Sequence, residues 1–288
     1  MPDASQRFVF ENADIRGDIV CIDECLHTVL DQHDYPRGAA AQLGEFIAAA
    51  VLLTGTLKFS GKLIVEMRSN SGQVPLMMAE CTNELGVRAI ARGIEAVTAT
   101  DFPTLFAEGY LAITIDPDHG ERYQGVVAAG ESLAGTVNSY FAQSEQLGTR
   151  LWLHCDRKRA GGLLLQQLPS DREQDPNMRQ KQWQEVCALA DTLTEQELLN
   201  LSPETLLYRL FHEHELRLFA TRPVAFHCSC SRERVLNALF ALPQQDLQHL
   251  LEEHAAIGTD CEFCQEHYRF SREELSHLIT YTGSDSKQ

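Results

Sequence analysis

Two tight pairs of cysteines near the carboxyl end constrain this chain more than any other feature of its sequence. The first pair is Cys228-Ser-Cys230, and after thirty residues the second pair follows as Cys261-Glu-Phe-Cys264. Four thiolates from two short turns can surround one zinc ion tetrahedrally, with Zn–S bonds of about 2.3 Å. Each turn already holds its two ligands together, so the main entropic cost is closing the loop between the turns. The spacing therefore predicts one zinc ion per chain, bound by Cys228, Cys230, Cys261 and Cys264.

We do not assign a metal-binding role to the histidines near these cysteines or to the other cysteines of the chain. His227, His254 and His267 lie close in the sequence and histidine can bind zinc, but we interpret them as ordinary surface histidines or as groups that orient a ligand. The remaining five cysteines lie in strand-like or helix-like sequence, where a free cysteine is usually a small apolar filler. They are Cys21, Cys25, Cys81, Cys155 and Cys187.

The start of the chain and its charge restrict the compartment and the partners. The first residues do not resemble a secretory signal, and the longest strongly apolar stretch, residues 46–53, is far shorter than the ~20 residues that span a bilayer. We therefore expect a cytoplasmic location, where closely spaced cysteines more often bind metals or carry redox chemistry than form structural disulfides. With 24 Lys and Arg against 41 Asp and Glu, the formal net charge is −17. Nucleic acids and anionic membranes are excluded as general partners, because both need a basic surface.

The pattern of apolar residues predicts an α+β protein. Residues 1–168 predict a mixed α/β domain with an antiparallel sheet, because short turns separate the strand-like runs. The predicted strands cover residues 8–10, 62–67, 74–81, 87–91, 111–115, 123–127, 150–154 and 162–168, and the predicted helices cover residues 23–31, 37–54 and 132–144. Residues 39–53 are apolar on nearly every side, so we expect this helix to be buried in the domain.

Residues 169–226 predict an amphipathic helical linker. The polar stretch 170–177 is typical of a hinge, and three short helical patterns follow it. The second of them opens with a capping box at Thr194-x-x-Glu197, and the third begins at Ser202-Pro203. Helices this short cannot bury their own apolar faces, so they must dock on another surface. The residues on those faces are Trp183, Val186, Cys187, Ala190, Leu193, Leu206, Leu207, Leu210 and Phe211.

Residues 227–288 predict a small C-terminal zinc domain with four cysteine ligands and with helices at residues 231–241 and 271–280. A module of about sixty residues rarely has enough apolar core to fold unaided. A structural zinc contributes on the order of 10–16 kcal/mol to such folds, so metal loss should unfold the module. The zinc either only stabilises the module, or it is bound reversibly and its loss changes the rest of the molecule. The spacing of the cysteines does not decide between these two hypotheses.

Common catalytic motifs do not fit this sequence. The segment His212-Glu-His-Glu215 has neither the spacing of a zinc protease nor that of a zinc deaminase. The segment from Gly130 to Gly135 is one residue too long for a nucleophile elbow. A thioredoxin-like C-x-x-C should open a helix after an early strand, whereas Cys261 and Cys264 lie near the carboxyl end. We therefore predict a protein without enzymatic activity and without catalytic residues.

The residues around the two cysteine pairs resemble a known family. The segments Cys228-Ser-Cys-Ser-Arg-Glu-Arg234 and Cys261-Glu-Phe-Cys-Gln-Glu-His-Tyr-Arg-Phe270 closely resemble the zinc module of the thirty-three-kilodalton heat-shock protein family, which are bacterial redox-regulated chaperones. Gly148 stands where we expect proline in this family, a difference that should affect only a turn. Further blocks of likeness are His33-Asp-Tyr-Pro36, Leu52-Leu-Thr-Gly-Thr-Leu-Lys58, Gly120-Glu-Arg-Tyr-Gln-Gly-Val126, Ser139-Tyr-Phe-x-x-Ser-Glu-Gln146 and Ala160-Gly-Gly162.

The resemblance implies a redox-controlled holdase. In its reduced, inactive form, Cys228, Cys230, Cys261 and Cys264 bind zinc. Peroxide with mild unfolding, or hypochlorous acid, drives formation of the Cys228–Cys230 and Cys261–Cys264 disulfides and releases the metal. The linker at residues 169–226 then unfolds, and the chain dimerises and holds unfolded or partly unfolded client proteins without ATP.

Further properties follow from the same resemblance. Residues 1–168 are the domain for client binding and homodimerisation, and residues 227–288 are the redox switch. Reduction lets clients pass to ATP-dependent foldase chaperones, so the implied role is protection from aggregation under oxidative stress. The client identities, the surface that binds them, the oxidant preference and the dimer stability stay open, as does any redox role of the other five cysteines.

Strain suggests an order for the two oxidations. A C-x-x-C disulfide closes more readily than a C-x-C disulfide, whose very short ring distorts the preferred dihedral angle near 90°. We therefore predict that Cys261–Cys264 forms before Cys228–Cys230. Two other interpretations remain open: a constitutive protein-interaction module with a purely structural zinc site, and a thiol oxidoreductase.

Overall fold

The computed structural model describes residues 2–144 and 148–275, which belong to two compact units. The first unit is Met1–His227 and the second is Cys228–Gln288. The predicted α+β class is confirmed, since helices and antiparallel strands occur in both units. The predicted functional boundary between residues 168 and 169 lies inside the first unit and stays a prediction.

Every strand and helix predicted for the first unit overlaps an observed element. Its strands are β1 (Ala4–Phe10), β2 (Ile15–Ile22), β3 (Gly61–Arg68), β4 (Leu76–Thr82), β5 (Gly86–Arg92), β6 (Tyr110–Pro117), β7 (Tyr123–Ala128), β8 (Thr149–Cys155), β9 (Ala160–Gln167), β10 (Leu216–Leu218), β11 (Arg222–Pro223) and β12 (Ala225–Phe226). Its helices are α1 (Glu24–Leu30), α2 (Arg37–Thr56), α3 (Phe102–Leu105), α4 (Leu133–Ser144), α5 (Pro176–Ala190), α6 (Glu195–Asn200) and α7 (Pro203–Phe211).

These strands form two sheets rather than one. The first sheet has the order β10-β1-β2-β9-β8, with β11 also paired to β1, and the second sheet has the order β12-β5-β4-β3-β6-β7. Their pairs are antiparallel except for β12, which runs parallel to β5 with Ala225 opposite Gly86. In the first sheet Gly17 pairs with Phe8, and a Cβ at Gly17 would lie 2.1 Å from the Phe8 ring. The close approach of that ring therefore requires glycine.

Helix α2 lies between the two sheets and forms the centre of the unit. It packs against β2, β8 and β9 of the first sheet and against β3, β4 and β5 of the second. Every residue from Phe46 to Leu53 is at most 1% exposed, which confirms the predicted burial. By length and hydropathy α2 could cross a membrane, but 89% of its most apolar window is buried inside the unit. Burial on all sides explains its apolar sequence as that of a core helix.

Strand β2 was not predicted because polar residues interrupt its apolar alternation. Arg16 and Asp18 sit in the middle of the strand, and Asp18 is only 3% exposed. The structure compensates each of them: Arg7 Nε lies 3.3 Å from the Asp18 carboxylate, and Arg16 donates to the Thr56 carbonyl over 2.9 Å. A buried charge is tolerated in a strand when it is paired in this way, and the partner is visible only in three dimensions.

The linker helices α5, α6 and α7 dock on the outer face of the first sheet, as their amphipathic pattern predicts. Asp175 caps α5 and Ser202 caps α7, each through its side chain. Thr194 and Glu197 form the predicted capping box of α6. The apolar cluster beneath these helices consists of Phe8, Phe10, Ala13, Ile15, Ile19, Leu163, Leu165, Trp183, Val186, Cys187, Ala190, Leu193, Leu198, Leu206, Leu207, Leu210 and Phe211.

The second unit has a much smaller core within the residues that the structure describes. Its elements are α8 (Arg232–Phe240), α9 (Gln244–Glu253), β13 (Ala256–Asp260) and β14 (His267–Ser271), and β13 and β14 form an antiparallel hairpin. Its buried apolar cluster is Leu247, Ile257, Phe270 and Leu275. The predicted helix at 231–241 is confirmed as α8, whereas α9 and the hairpin were not predicted. Of the helix predicted at residues 271–280, the part from 276 onward lies outside the described residues.

Candidate metal centre

The first cysteine pair lies in the segment that leads into α8. Ser231 caps this helix, its hydroxyl accepting the Arg234 backbone N–H over 3.2 Å. The Arg234 guanidinium donates back to the Ser229 carbonyl over 2.8 Å. The helix start thus fixes the short turn that carries Cys228 and Cys230.

The second pair lies at the tip of the β13–β14 hairpin. The Cys261 backbone N–H donates to the Glu266 carbonyl over 2.9 Å, and the Gln265 N–H donates to the Cys261 carbonyl over 2.8 Å. Gln265 adopts φ 57°, a left-handed conformation that closes the turn. These bonds hold Cys261 and Cys264 in one tight turn.

The four sulfurs converge on a single small volume. All four Sγ atoms lie within 4.8 Å of one another. Cys228 Sγ is 3.7 Å from Cys261 Sγ, and Cys230 Sγ is 3.4 Å from Cys264 Sγ. A tetrahedron with Zn–S bonds of about 2.3 Å has edges of about 3.8 Å. The residues therefore fit a four-coordinate metal ion.

The two thiols of the second pair are shifted toward their protonated forms. Burial raises the pKa of Cys261, and burial together with the neighbouring sulfurs raises the pKa of Cys264. Crowded sulfurs repel one another as thiolates unless a cation compensates their charge. A divalent cation binding here would displace these protons, so its affinity should increase with pH.

One side chain contacts a sulfur directly, and the neighbouring polar side chains pair with one another. The Tyr268 hydroxyl donates to Cys230 Sγ over 3.1 Å. Arg232 lies 4.3 Å from the centre of the Phe270 ring and pairs with Glu274 at 2.7 Å. His267 contacts Asp260 at 2.6 Å. Within residues 2–144 and 148–275, the metal-sized group of side chains contains the four cysteines and none of the histidines considered above.

The other five cysteines are separate from this cluster. Cys21, Cys25, Cys81 and Cys187 are buried, and Cys155 is half-buried. Burial raises the pKa of Cys21 and Cys187 to about 11 and that of Cys81 and Cys155 to about 12. Thiols with such pKa values react slowly with oxidants, which agrees with their interpretation as fillers.

A buried carboxylate that the sequence did not point to fixes the start of the linker. Asp14 is 6% exposed, and its carboxylate accepts the backbone N–H groups of Asp171, Arg172 and Glu173 at 3.1–3.3 Å. Arg179 of α5 lies 2.8 Å from the same carboxylate. Burial opposes the charge of Asp14, but the three N–H groups and Arg179 outweigh it and hold its pKa below the usual range. The backbone of the predicted hinge is thus held by hydrogen bonds to one carboxylate.

A second polar contact holds the end of α5. Asp191 receives the Arg150 guanidinium at 2.8 and 3.0 Å and the Trp152 indole N–H at 3.1 Å. Arg150 also lies 5.0 Å from the centre of the Trp152 ring. These β8 residues position α5 from outside its apolar face, and neither residue stands out in the sequence.

A carboxyl of the central helix faces the beginning of α6. Burial raises the pKa of Glu45 to about 8, and Glu195 of α6 adds to this shift. His154 and Cys155 of β8 lie in the same region. Burial lowers the pKa of His154 and raises that of Cys155. The docked α6 therefore favours the protonated form of Glu45.

Gly148 affects more than a turn, contrary to our expectation. A Cβ at Gly148 would lie 2.9 Å from the Trp183 ring of α5 and 2.7 Å from Gln167 Oε1. The Gly148 N–H also donates to Gln167 Oε1 over 3.1 Å, a bond that proline cannot make. The glycine therefore makes room for a linker helix.

Comparison with known proteins defines the class of this one. The protein called 33 kDa chaperonin in Pseudomonas paraeruginosa (strain DSM 24068 / PA7) is 51% identical over 286 residues, covering 98% of this chain and 96% of the relative. Its namesake in Pseudomonas syringae pv. syringae (strain B728a) is 49% identical over 288 residues, covering 99% and 96%. The crystal structure of the 33 kDa chaperonin from Thermotoga maritima has the same fold, with a TM-score of 0.81, 22% identity and coverage of 98% and 99%. The chain is thus a chaperone with a C-terminal cysteine cluster.

The family follows from a direct match. The family model described as Hsp33 protein matches residues 3–271. The chain belongs to the Hsp33 family, which confirms the resemblance seen in its cysteine motifs. The names of the relatives agree with the prediction of a protein that is not an enzyme.

Proposed function

We propose that this chain is an ATP-independent holdase chaperone of the cytoplasm that oxidation activates. In the reduced state, one zinc ion on Cys228, Cys230, Cys261 and Cys264 keeps the second unit folded. Oxidation forms the Cys228–Cys230 and Cys261–Cys264 disulfides and releases the metal. The linker at residues 169–226 then unfolds and uncovers apolar surface that holds unfolding client proteins.

The convergence of the four sulfurs is the observation that carries this proposal. They come from two segments separated by thirty residues, yet all four lie within 4.8 Å of one another. In the described part of the second unit the apolar core beside them is small, since it centres on Leu247, Ile257, Phe270 and Leu275. A unit with so few buried side chains depends on its metal for much of its stability. Loss of the metal is therefore a large perturbation.

Chain connectivity supports the disulfide pairing that we propose. In the folded cluster the sulfurs of different segments are as close as 3.4 Å, because the edges of a tetrahedron are equal. Once the metal leaves and the unit unfolds, only cysteines within one short turn stay close together. Cys228 then meets Cys230, and Cys261 meets Cys264.

The face covered by the linker is suited to unfolded clients. Phe8, Phe10, Ile19, Leu163 and Leu165 lie beneath α5–α7, and each is at most 2% exposed. Uncovering a buried side chain of this size costs about 1.5–3 kcal/mol. An uncovered face would reduce this cost by binding apolar segments of clients or a second copy of the chain. We propose the homodimer as the oxidised form, and ATP-dependent foldases as the recipients of clients after reduction.

Zinc and thiol stoichiometry before and after oxidation tests this function. We expect one zinc ion per reduced chain, and the loss of four thiols together with that zinc after hydrogen peroxide at raised temperature. Light scattering of a heat-aggregating client should show suppression only after oxidation. Equal suppression before and after peroxide would instead indicate a constitutive interaction module with a structural zinc. Reduced protein without zinc would overturn the proposal.

Two serine variants make this test specific. Cys264→Ser removes one proposed ligand and should abolish stoichiometric zinc binding. Cys155→Ser changes a half-buried cysteine outside the cluster and should retain both the zinc and the oxidative switch. Loss of zinc or of the switch in Cys155→Ser would contradict the assignment of the four ligands as the redox centre.

A further inference from the structure

Tyr268 places its phenol against one of the four sulfurs. It lies on β14 opposite Thr259 of β13, and its hydroxyl donates to Cys230 Sγ over 3.1 Å. Residues two apart in a strand share a face, so Tyr268 points to the same side as Phe270, which is fully buried. The Tyr268 ring packs against this small core. The anchored ring therefore holds its hydroxyl on Cys230.

This contact differs from those that reach the second cysteine pair. The sulfurs of Cys261 and Cys264 accept backbone N–H groups from within their own turn, for example that of Glu266 on Cys264. The bond from Tyr268 to Cys230 instead joins two segments that are distant in sequence. It exists only while the β13–β14 hairpin is folded beside the first pair.

We infer that the Tyr268 phenol shields Cys230 from oxidants for as long as the hairpin stays folded. The inference rests on the function proposed above. A hydrogen bond to a thiolate stabilises its charge and withdraws electron density from the sulfur. The thiolate is the nucleophile that attacks peroxide. Cys230 therefore reacts slowly while Tyr268 is in place.

Each disulfide consumes one hydrogen peroxide. A cysteine thiolate attacks one peroxide oxygen, the O–O bond breaks, and a sulfenic acid and a hydroxide ion result. The second thiolate of the pair attacks the sulfenic sulfur, which forms the S–S bond and expels a second hydroxide. Two protons convert both hydroxides to water, so the pair loses the two electrons that the peroxide gains. When the hairpin opens, Tyr268 leaves Cys230, and the first pair reacts by the same steps.

The rate of each pair can be measured separately. Reduced, zinc-loaded full-length protein is treated with hydrogen peroxide, quenched with an alkylating reagent at intervals, and digested for mass spectrometry of the two cysteine peptides. Zinc release is followed in parallel with a chromophoric chelator. In the unmodified chain we expect Cys228–Cys230 to form after Cys261–Cys264. In Tyr268→Phe, which keeps the ring, we expect Cys228–Cys230 to form about tenfold faster while the rate at Cys261–Cys264 changes less than twofold.

A control on the same strand separates this role from general loosening of the hairpin. His267→Ala removes the neighbouring contact to Asp260, which does not involve a sulfur, and should leave the ratio of the two rates unchanged. Equal ratios in Tyr268→Phe and the unmodified chain would overturn the inference, as would the same increase in His267→Ala. If the unmodified chain loses no thiols with its zinc, the proposed function itself fails.

A second substitution keeps the test decisive if Tyr268→Phe does not retain zinc. Site-specific 3-fluorotyrosine at position 268 preserves the ring and the hydroxyl but makes the phenol a stronger donor. We expect it to slow formation of Cys228–Cys230 relative to the unmodified chain. No change, or a faster reaction, would contradict a shielding role.

Discussion

The two units of this chain keep their folds in different ways. The first unit surrounds α2 with two sheets, and its central residues from Phe46 to Leu53 are almost completely buried. Among its residues up to 275 that the structure describes, the second unit buries four apolar side chains in its cluster and places four cysteines around one small volume. An extensive apolar core is indifferent to oxidants, whereas a fold that depends on thiolates is not. Under the function proposed above, the chain thus combines a unit that oxidants leave folded with a unit that they unfold.

Zinc removal gives the largest expected difference between the units. A strong chelator should unfold the second unit, since structural zinc contributes on the order of 10 kcal/mol to such modules, while α2 remains folded. Hydrogen exchange measures both: amides at residues 228–275 should lose protection, and those of α2 should keep it. The control is the same chelator saturated with zinc beforehand. Unchanged protection of the amides at residues 228–275 would contradict the prediction that the second unit needs zinc to stay folded.

Truncation of Phe211 should separate the linker from the scaffold it covers. The Phe211 ring is 1% exposed and lies 5.2 Å from the Phe10 ring and 6.2 Å from the Phe8 ring. We expect Phe211→Ala to weaken linker docking by about 3–5 kcal/mol and to give client protection without oxidant, measured by light scattering in excess reductant. Tyr208→Ala alters the same helix at a side chain that is 72% exposed and should behave like the unmodified chain. An inactive Phe211→Ala under reducing conditions would show that α7 does not cover the client surface.

The carboxyl of Glu45 should make the first unit sensitive to pH. Its pKa is about 8 in the folded chain against 4.5 for an ordinary glutamate, so the folded state binds a proton that the unfolded state releases. Stability therefore falls as pH rises from about 4.5 to about 8. We expect Glu45→Gln to remove this fall, which is on the order of 3 kcal/mol between pH 5 and pH 8. The facing groups Glu195, His154 and Cys155 remain in place in this variant.

Urea unfolding at a series of pH values measures the effect of Glu45. Glu84→Gln, at an exposed position, is the matched control and should keep the pH dependence of the unmodified chain. If Glu45→Gln and the unmodified chain lose stability in parallel as pH rises, Glu45 is not the responsible group.

Loss of charge at Asp14 should produce the smallest of these effects. Its carboxylate accepts three backbone N–H groups of the hinge and pairs with Arg179. Asp14→Asn should cost about 2 kcal/mol, because hydrogen bonds to a charged acceptor are weakened. Faster hydrogen exchange at the amides of residues 171–173 is the expected signal, with Asp34→Asn, at an exposed position, as the control. Unaltered exchange at these amides would show that the hinge is held by its apolar contacts alone.

The same contrast explains what could be predicted from the sequence. The cysteine cluster was evident because the two cysteines of each pair are close in the sequence. The linker helices were evident because their caps and apolar spacing are local too. Asp14 and Tyr268 were missed because their partners lie more than thirty residues away. Strand β2 was missed because Asp18 looks like a surface residue until Arg7 is beside it. The division of the strands into two sheets likewise depends on pairings between distant segments.

Strand β9 shows how the first unit could lose its linker helices and keep its core. Leu164 points into the core around α2, whereas its neighbours Leu163 and Leu165 point toward the linker helices. Consecutive leucines of one strand therefore contribute to two different apolar clusters on its opposite faces. Undocking of the linker helices would expose one face of the strand and leave the other face packed against the core. Under the proposed function, recovery after stress would then need only the linker and the second unit to refold, so one molecule could pass through the cycle repeatedly.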